Sequence, residues 1–589
     1  MRHDATKARA AAALLAIALI PAAAGAGVAD PFAIKVTNPW PHNLVGGYWP
    51  AAVTIENLRD PVDAVIMLIP RGGYSSELSS VERPVTLSRG ETARVVLPVP
   101  VRDWGRYQVQ VYVDGYQTMR HPPHVDAPYS GRYGRAAGSV VIAVARDAPD
   151  LRQVEAVMSS MGGGSAGVVH ATHEQLPDLW QPYSSAGLCA VDVDALVRMS
   201  PAQRSALGTW VFAGGACLIH PVTSDEESRK IIDGLGLAGE HRDIVSTGLE
   251  ETVGLTCASI GLGRVLFLSD DAFPQTADWW RVVLSDKRNV PISERAGADE
   301  RSSGLDIPGV GEPPVTAFLV ISIFFIILIG PANWYIVLKR MKKPPLFLVS
   351  TPVLAIGASV LMLTYSFISE GFGTHVSTRT IAVLDPEAHR GVTWSRHSVY
   401  AGVAPYGGLK FSSSTLVMPE EVPPGRKSIA WSDGLRMKGG WLPARTKCSY
   451  VTCAQYPARW RVRVARAGAG WSVTNGLPVG IKRIVFGTPD GIVSAENVPP
   501  GGAEAGLMAG DASAVKRLGT LGADLRRFGV RKVPADFLSP EAVEGSNPGG
   551  YLRYVATLDG PLGAELGIED FEEEDGRHAV IGLAELGSR

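Results

Sequence analysis

VTAFLVISIFFIILIGPANWYIVL, residues 315–338, is followed by KRMKKPP, residues 339–345, and then by LFLVSTPVLAIGASVLMLTYSFI, residues 346–368. The two long runs contain 24 and 23 residues and no charged side chain. About 20 apolar residues in a helix, each rising about 1.5 Å, cross the hydrocarbon core of a bilayer. The pattern therefore predicts two transmembrane helices joined as a hairpin.

The short segment between the two runs holds four cations, Lys339, Arg340, Lys342 and Lys343. Short loops rich in Lys and Arg stay in the cytoplasm. We therefore expect a two-pass protein of the cytoplasmic (inner) membrane, with both large soluble parts extracytoplasmic. Neither predicted span contains an ionisable Asp, Glu, Lys, Arg or His, which argues against an ion or proton pathway through this chain alone.

Residues 1–26 have the composition of a secretory signal peptide. Arg2, Lys7 and Arg9 precede the apolar run Ala10–Pro21, and small residues follow it. The apolar run is too short to span a bilayer, and the small residues suit a cleavage site. An uncleaved anchor is the alternative. In both cases the chain that follows is exported, in agreement with the basic loop.

The overall charge gives no indication of a nucleic-acid partner. The chain has 589 residues, a formal net charge of −2 and a pI near 6.7. Domains that bind nucleic acid carry a basic excess. We therefore expect no nucleic-acid partner. The predicted hairpin makes the membrane, and a membrane protein complex, the expected partners.

Five cysteines are too few for a disulfide scaffold in an exported chain. Cys448 and Cys453 form the pair that could be oxidised, because a chain reversal between them would bring their Cα atoms within bonding range. Two free thiols are the alternative. Cys189, Cys217 and Cys257 lie in apolar runs, and we expect them to be buried small hydrophobic residues rather than reactive thiols.

The segment before the hairpin changes pattern along its length. Residues 30–128 hold short apolar runs between turn signals, and Tyr107–Val113 alternates as a half-buried strand does, which predicts an Ig-like β-sandwich. In residues 136–288, near-continuous apolar runs such as Ser139–Ala145 alternate with helical patterns. This predicts a doubly wound α/β domain with a mainly parallel sheet. Residues 289–314 are polar and are predicted to form a linker.

After the second span, residues 373–589 return to short alternating runs with frequent Pro and Gly. Trp460–Ala465 and Ile481–Phe486 have the pattern of strands. Leucines spaced i, i+3 and i+7 within Ala503–Phe528 indicate a helical stretch. The region is therefore predicted to be an exported β-rich domain with a helical insert.

The α/β region resembles the class I glutamine-amidotransferase-like fold. The residues that carry the likeness are Ser200–Leu207, Trp210-Val211 and Ala213–His220. In that family a Gly-x-Cys-x-Gly elbow follows such a strand and exposes a thiolate nucleophile, later paired with a His. The corresponding place here, His220-Pro221-Val222, has no Cys and no flanking Gly, and Pro221 has no N–H to donate. The resemblance therefore implies a domain that has lost its catalytic residue.

The motif IGPANWY, residues 329–335, is similar to a signature of uncharacterised bacterial membrane proteins that combine such an exported domain with a membrane hairpin. The likeness to auxiliary subunits of gliding-type transport systems is looser. Gly330, Pro331 and Asn333 are its central residues. Pro331 is expected to kink the helix. We expect Asn333 to bond to the second span or to interfacial water, and contact with a partner's span is the alternative.

No residue group in the sequence predicts a catalytic, metal or cofactor site. The pairs His170/His173 and His121/His124 lack a third ligand nearby. Glu569–Asp575 is expected to be a solvated loop, because the Asx and Gly positions of a calcium loop are absent.

Three functional hypotheses follow. The favoured one is a non-catalytic, membrane-anchored envelope protein whose exported domains bind a partner protein or a small ligand. The second is an auxiliary subunit of a transport or assembly complex, which would take its energy from a partner because the short basic loop cannot form an ATPase site. The third is a hydrolase-type enzyme with a non-standard site at the carboxyl ends of the α/β strands, using His170, His173 or Asp192.

Overall fold

The computed structural model describes most of the chain. The predicted signal peptide, residues 1–26, lies outside the described residues, as do most of the predicted linker and residues 509–528 of the predicted helical insert. The described residues are 30–40, 43–44, 46–71, 79–101, 105–119, 122–127, 129–130, 140–144, 156–157, 160, 168–237, 254–269, 276–285, 291–293, 305–308, 315–370, 372–421, 425–508 and 551–586.

The strands before the apolar helices are β1 Phe32–Thr37, β2 Asn43–Leu44, β3 Tyr48–Asn57, β4 Val62–Arg71, β5 Ser79–Leu87, β6 Thr92–Pro100, β7 Arg106–Val113, β8 Tyr116–Gln117, β9 His124–Asp126, β10 Tyr129–Ser130, β11 Val140–Val144, β12 Val168–His170, β13 Ala186–Asp192, β14 Ala216–His220, β15 Leu255–Ile260 and β16 Gly263–Leu268. Those after them are β17 Thr374–Asp385, β18 Arg390–Ala401, β19 Leu409–Phe411, β20 Leu416–Glu421, β21 Lys427–Trp431, β22 Leu435–Gly439, β23 Lys447–Pro457, β24 Val462–Ala467, β25 Gly470–Asn475, β26 Ile481–Thr488, β27 Gly491–Val498, β28 Ala503–Leu507, β29 Tyr551–Leu558 and β30 Glu572–Leu586.

The helices are α1 Val193–Arg198, α2 Pro201–Phe212, α3 Asp225–Gly234, α4 Ala277–Ser285, α5 Val315–Ile327 and α6 Pro344–Glu370. Two short 3₁₀ turns, His173–Gln175 and Gln181–Ser185, precede β13. Helix α2 begins where the sequence predicts, because Ser200 and Gln203 form a capping box and Pro201 occupies the first helical position.

Eight of the N-terminal strands form two sheets that enclose one core, and β2 and β10 pair in parallel as a separate two-stranded sheet. β1, β3 and β6 pair antiparallel, and β4, β5, β7, β8 and β9 belong to a larger sheet. Apolar side chains from the two sheets, among them Trp49, Ile66 and Val109, are fully buried in a single cluster. The strand-rich character predicted for residues 30–128 is therefore present in the structure.

Strands that follow the apolar helices in the sequence complete the larger N-terminal sheet. Its order is β19-β22-β21-β5-β4-β7-β8, with β9 paired to β7. β21 lies parallel to β5, with Lys427 opposite Ser79 and Ala430 opposite Glu82. The boundary predicted at residue 128 therefore does not close this unit, since a β-sheet accepts a strand from any part of the chain that reaches its edge.

A tryptophan from the C-terminal region lies between the two N-terminal sheets. Trp431, on β21, is 4% exposed and donates its indole Nε1–H to the Pro98 carbonyl oxygen at 3.0 Å. Its ring meets Tyr48 edge-on, with centroids 6.0 Å apart. The N-terminal core is thus finished by a side chain that follows it in sequence by several hundred residues.

The α/β sheet has the order β12-β11-β13-β14-β16-β15, parallel except for β15 at one edge. Alternate side chains of its strands enter different cores. Cys189 and Ile219 pack in the large shared core, on the side of α2, whereas Leu188 and Leu218 pack with Trp280 of α4. Burial on both faces explains why these strands are near-continuous apolar runs in the sequence.

The apolar hairpin consists of two helices long and apolar enough to cross a membrane, Val315–Arg340 and Pro344–Tyr365. The first helix continues through Lys339 and Arg340, so the turn is shorter than the predicted loop 339–345. Around Pro331 the α-helix widens into π-helical turns, Leu328–Ala332 and Trp334–Arg340. A wider, π-helical turn is a backbone arrangement that tolerates a proline, which has no N–H to donate within the helix.

The C-terminal region is a strand-rich body around an eleven-stranded sheet. β17 pairs antiparallel with β18 and parallel with β30, and β18 pairs with β23. The predicted strands Trp460–Ala465 and Ile481–Phe486 correspond to β24 and β26. The predicted helical insert is wrong at its start, because Ala503–Leu507 pairs with β25 as strand β28.

Hydrogen bonds tie the α/β unit to the C-terminal region. The side chain of Gln181 donates to the Ser413 carbonyl oxygen at 2.8 Å, and the indole of Trp180 donates to the Ser414 carbonyl oxygen at 3.1 Å. The described parts of the predicted linker are partly buried, since Ile292, Leu305 and Ile307 are buried. The largest apolar cluster contains residues from the regions before and after the apolar helices.

Candidate functional site

The carboxyl edge of the parallel sheet is the place where α/β folds bind ligands. His170 ends β12, Asp192 ends β13 and His220 ends β14. Asp192 lies directly opposite His220 in the β13–β14 register. The topology therefore gathers several polar residues at one edge, and their environments decide what they can do.

The three residues of the enzyme hypothesis do not converge. The Asp192 carboxylate caps helix α1 by accepting a hydrogen bond from the Ala195 N–H. The His173 carbonyl oxygen accepts a hydrogen bond from the side-chain amide of Gln203 at 2.8 Å, which fixes the backbone of this turn. β11 lies between β12 and β13, which puts His170 two strands from Asp192, roughly 10 Å away.

The cysteine nearest to a nucleophile position is enclosed in the sheet. Cys217 is fully buried on β14 opposite Cys189 on β13. Burial raises the pKa of the Cys189 thiol to about 12 and the pKa of the Cys217 thiol well above its ordinary value. A thiol that stays protonated at neutral pH and has no access to solvent is not a nucleophile.

The segment after β14 is occupied by structural contacts. The Val222 N–H donates to the Leu268 carbonyl oxygen at 2.9 Å, so it is committed to the sheet. Ser224 caps α3 by accepting from the Glu227 N–H at 3.3 Å. Pro221 has no N–H, and no residue from 221 to 224 is a cysteine. The described segment thus supplies neither a thiol nor the free backbone donors of an oxyanion hole.

Close packing explains why a glycine, Gly215, precedes β14. A Cβ at Gly215 would lie 2.3 Å from the indole ring of Trp210, which is fully buried beneath it. The Gly-Gly end of α2 therefore serves packing of the helix on the sheet. The neighbouring carbonyl of Ala213 accepts the indole N–H of Trp394 at 3.4 Å, so the C-terminal region covers this end of the helix.

The pair Cys448 and Cys453 requires a correction. Both lie on β23, a single extended strand, and both are free and buried. Five residues of strand separate their Cα atoms by roughly 17 Å, and an odd spacing puts their side chains on opposite faces. A disulfide needs Cα atoms within about 7 Å. The chain reversal that the proposed bridge needs is absent, and the thiols serve as small core residues.

The structure brings together a group of possible metal ligands that the sequence analysis missed. Donor atoms of His375, Glu572 and Glu574 all lie within 4.8 Å of one another. His375 Nδ1 is 2.9 Å from Glu574 Oε1 and 3.8 Å from Glu572 Oε2. An imidazole with two carboxylates could hold a divalent cation such as Zn²⁺. Because the Glu572 side chain is 76% exposed, the same geometry also serves as a surface ion pair.

The expected acidic loop at Glu569–Asp575 is only partly a loop, since β30 begins at Glu572. Pairing of β30 with β17 sets Glu572 opposite His375. Glu572 and Glu574 are two residues apart, a spacing that places both side chains on the same face of a strand. The histidine lies about two hundred residues earlier, so no local pattern could predict the cluster.

The polar residue of the hairpin is satisfied within the chain. Asn333 is 5% exposed; its Oδ1 accepts from Ser350 Oγ at 2.9 Å, and its Nδ2 donates to Thr351 Oγ1 at 3.3 Å. The hydrogen bond expected between Asn333 and the second helix is therefore present. A Cβ at Gly330 would meet nothing within 4 Å, so packing inside this chain does not explain that glycine.

Comparison with known proteins gives no family assignment. No family model and no curated protein matches the chain. Among solved structures, a calcium-binding mutant of Bacteroides uniformis β-glucuronidase 2 aligns over 35% of this chain and 25% of its own, with 10% identity and a TM-score of 0.13. A Paenibacillus sp. cycloisomaltooligosaccharide glucanotransferase complexed with cycloisomaltoheptaose aligns over 31% and 27%, with 15% identity and a TM-score of 0.14. The chain spans about a quarter of the length of each. TM-scores this low carry no argument about fold or activity.

Proposed function

We propose that the chain is a two-pass membrane protein of the cell envelope whose soluble part is a non-catalytic, extracytoplasmic binding body. The observation that carries this proposal is the sheet shared by β5 and β21. One strand precedes the apolar hairpin and the other follows it, and their pairing requires both segments to lie on the same side of a membrane that the hairpin crosses.

The orientation rests on charge. Lys339 and Arg340 end the first apolar helix, and Lys342 and Lys343 follow within the turn. Short cation-rich turns are retained in the cytoplasm. Lys339 also lies 5.0 Å above the ring of Trp334, a pairing of cation and aromatic that suits the level of the headgroups. The inner membrane is the location that this arrangement favours.

The α/β unit is proposed to be a degenerate relative of the class I glutamine-amidotransferase-like fold. Its mainly parallel sheet, covered on both faces, is compatible with that fold. The buried Cys217 thiol and the committed Val222 N–H support the absence of catalysis. The N-terminal sheets are likewise proposed to form an Ig-like sandwich, a type of domain that commonly serves binding.

Activity assays test the absence of catalysis. The full-length protein in mild detergent is expected to release no ammonia from glutamine and to hydrolyse no p-nitrophenyl ester above the level of heat-denatured protein. Turnover by the wild type that disappears in Cys217→Ala, or in substitutions of His170, His173 or Asp192, would overturn the proposal and favour the enzyme hypothesis.

Photocrosslinking tests binding. A photoreactive amino acid placed at Tyr116, Val197 or Tyr406, which have strongly exposed side chains, is expected to give a discrete adduct in cells from at least one position. Adducts that appear equally at every position and vary with expression level would show collision rather than binding. Such a result would contradict a partner-binding function.

An auxiliary subunit of a membrane complex is the second candidate, and Gly330 is the observation that favours it. The glycine has open space around it although it lies in the apolar helix, as expected where another helix approaches closely. The Cβ of a Gly330→Leu variant would meet no heavy atom within 4 Å in the described part of this chain. Under this hypothesis it should release a membrane protein that co-purifies with the wild type, while Leu348→Ala, at a position 82% exposed on α6, should not.

A further inference from the structure

We propose that a cationic pocket in the C-terminal region binds a ligand through a phosphoryl group. This inference rests on the proposed binding function and names the chemical class of one ligand. The cavity measures about 510 Å³, within the usual range of ligand sites, roughly 300 to 1,000 Å³. Six residues line this arginine pocket: His389, Arg459, Arg461, Arg463, Thr474 and Gly476.

The three arginines share the pocket because they alternate along one extended segment. Arg459 and Arg461 precede β24, and Arg463 lies within it. In extended chain, residues i, i+2 and i+4 point to the same side. Val462, between Arg461 and Arg463, and Val464, directly after Arg463, are fully buried in the core. The segment therefore has an apolar inner face that anchors it and a guanidinium-rich outer face.

Backbone contacts hold the walls of the pocket in place. The Ala458 N–H donates to the His389 carbonyl oxygen at 2.8 Å, and the Gly476 N–H donates to the Arg461 carbonyl oxygen at 3.0 Å. A Cβ at Gly476 would lie 2.3 Å from that Arg461 oxygen, so only glycine allows this close approach. Thr474 lies opposite Arg463 in the β24–β25 register. The pocket is thus formed before any ligand arrives.

The charges of the pocket are not balanced. Glu585 is shared, with Oε1 3.5 Å from Arg461 Nη1 and Oε2 3.2 Å from Arg463 Nε. Arg459 has no carboxylate within ion-pair distance in the described part of the chain. Among the described residues, two of the three arginines contact one shared carboxylate and the third contacts none. These groups carry an excess of two positive charges, in a chain whose formal net charge is −2.

The histidine of the pocket can accept a hydrogen bond. His389 Nδ1 lies 3.4 Å from Arg461 Nη2, and a guanidinium only donates. Nδ1 is therefore the acceptor of this contact. The guanidinium groups and the Thr474 hydroxyl offer donors of two kinds to an oxyanion.

The excess of charge and the shape of the donors favour a phosphate monoester. Guanidinium N–H groups match pairs of phosphate or carboxylate oxygens. A phosphate monoester carries about −1.5 to −2 charges at neutral pH, close to the excess in the pocket. A single carboxylate would leave one positive charge unbalanced. The source of the phosphoryl group is either a soluble ester or a phospholipid headgroup.

Calorimetry on the full-length protein in a neutral detergent at low salt tests this proposal, because salt screens exposed charges. Arg459→Gln removes the guanidinium that has no carboxylate partner among the described residues. Arg466→Gln is the control: it makes the same change in the same segment, seven residues later and within β24, where Arg466 pairs with Asp490 at 3.1 Å. Thermal unfolding of both variants shows whether the fold is retained.

The wild type and Arg466→Gln are expected to bind inorganic phosphate with equal affinity, and Arg459→Gln at least tenfold more weakly, which is about 1.4 kcal/mol. Succinate, a dicarboxylate, should bind more weakly than phosphate to the wild type. Equal phosphate affinity in both variants, absence of phosphate binding, or preference for succinate would each overturn the proposal.

Two further ligands distinguish the sources. Glycerol 3-phosphate represents a soluble monoester, and dihexanoyl phosphatidic acid represents a lipid whose headgroup is a phosphate monoester. The ligand that binds more tightly identifies the source, provided that its affinity falls tenfold in Arg459→Gln. Affinities that are the same in the wild type and in Arg459→Gln would contradict binding in the arginine pocket. Failure of phosphate binding leaves the non-catalytic body intact, whereas enzymatic turnover would overturn that proposed function whatever the pocket binds.

Discussion

Ser80 Oγ donates a hydrogen bond to the Lys427 carbonyl oxygen at 3.2 Å, across 347 residues of sequence and the whole apolar hairpin. The bond belongs to the parallel pair formed by β5 and β21. Two segments that the sequence separates into different domains are thereby neighbours in one sheet. The apolar hairpin is consequently inserted between two segments of one folded unit and does not connect two separate folded units.

Cysteine labelling in sealed cells tests the same-side arrangement. Tyr116 and Tyr406 are 78% and 109% exposed, on either side of the hairpin in sequence, and Met341 lies in its turn. A membrane-impermeant maleimide should modify Tyr116→Cys and Tyr406→Cys in intact cells, but Met341→Cys only after permeabilisation. The five native cysteines are buried and should give no background. Opposite accessibility of Tyr116→Cys and Tyr406→Cys would contradict the shared sheet.

The core position of Trp431 predicts a large loss of stability on truncation. Trp431→Ala removes a buried indole between the two N-terminal sheets and should destabilise the protein by about 3–5 kcal/mol. Trp431→Phe keeps most of the volume but leaves the Pro98 carbonyl without its donor, at a cost of about 1 kcal/mol. Tyr406→Ala, on the surface, should stay within about 0.5 kcal/mol of wild type. Thermal unfolding monitored by intrinsic fluorescence ranks the variants, and an unchanged Trp431→Ala would refute the contact.

The placement of Cys448 and Cys453 on one strand predicts five reduced thiols. Alkylation of the purified protein in denaturant without reductant should add five carbamidomethyl groups by mass spectrometry. The same number should be added after reduction. In native buffer, burial should prevent reaction. The addition of only three groups before reduction would show that two of the cysteines form a disulfide.

Acid sensitivity is expected from His397. Burial, and secondarily the charge of His578, lower the pKa of His397 from 6.5 to about 3. Its ring is held between Thr378 Oγ1, 3.3 Å from Nδ1, and Thr452 Oγ1, 3.0 Å from Nε2. Below pH 6.5 the unfolded chain therefore binds a proton that the folded protein does not.

The stability that a neutral His397 contributes is complete above pH 6.5 and decreases as the pH falls towards 3, by up to about 1.4 kcal/mol per pH unit. His397→Gln should lose part of its stability at pH 7.5 but should fall less steeply between pH 6.5 and 4. The melting temperature of both proteins across this range gives the comparison. Parallel curves would show that His397 does not titrate in this way.

The contact between Asn333 and Ser350 predicts a modest coupling between the two apolar helices. A double-mutant cycle with Asn333→Ala and Ser350→Ala should give an interaction energy of about 0.6 kcal/mol, typical of hydrogen bonds between membrane helices. Thr364→Ala, whose hydroxyl bonds within its own helix to Val360, serves as the uncoupled control. Strictly additive effects of Asn333→Ala and Ser350→Ala would show that the two side chains do not interact.

Local patterns in the sequence predicted the elements that local physics controls. The capping box at Ser200–Gln203 starts α2, and the alternation in Tyr107–Val113 lies within β7. The helical prediction for Ala503–Phe528 is wrong at Ala503–Leu507, because pairing with β25 makes this segment a strand. The leucines that suggested the helix, at 518, 521 and 525, lie outside the described residues. The prediction for Cys448 and Cys453 failed for a related reason: a ladder with β18 keeps the chain extended where a reversal was assumed.

By itself, the sequence determined the two apolar helices, the cationic turn and the strand-rich character of the soluble regions. These depend on the length, charge and periodicity of contiguous residues. Only the tertiary structure decided that β21 completes the N-terminal sheet, that Trp431 fills its core, and that Arg459, Arg461 and Arg463 line one pocket with His389. Such relationships depend on which distant strands pair and in which register, and that is settled by the packing of the whole chain rather than by any local pattern.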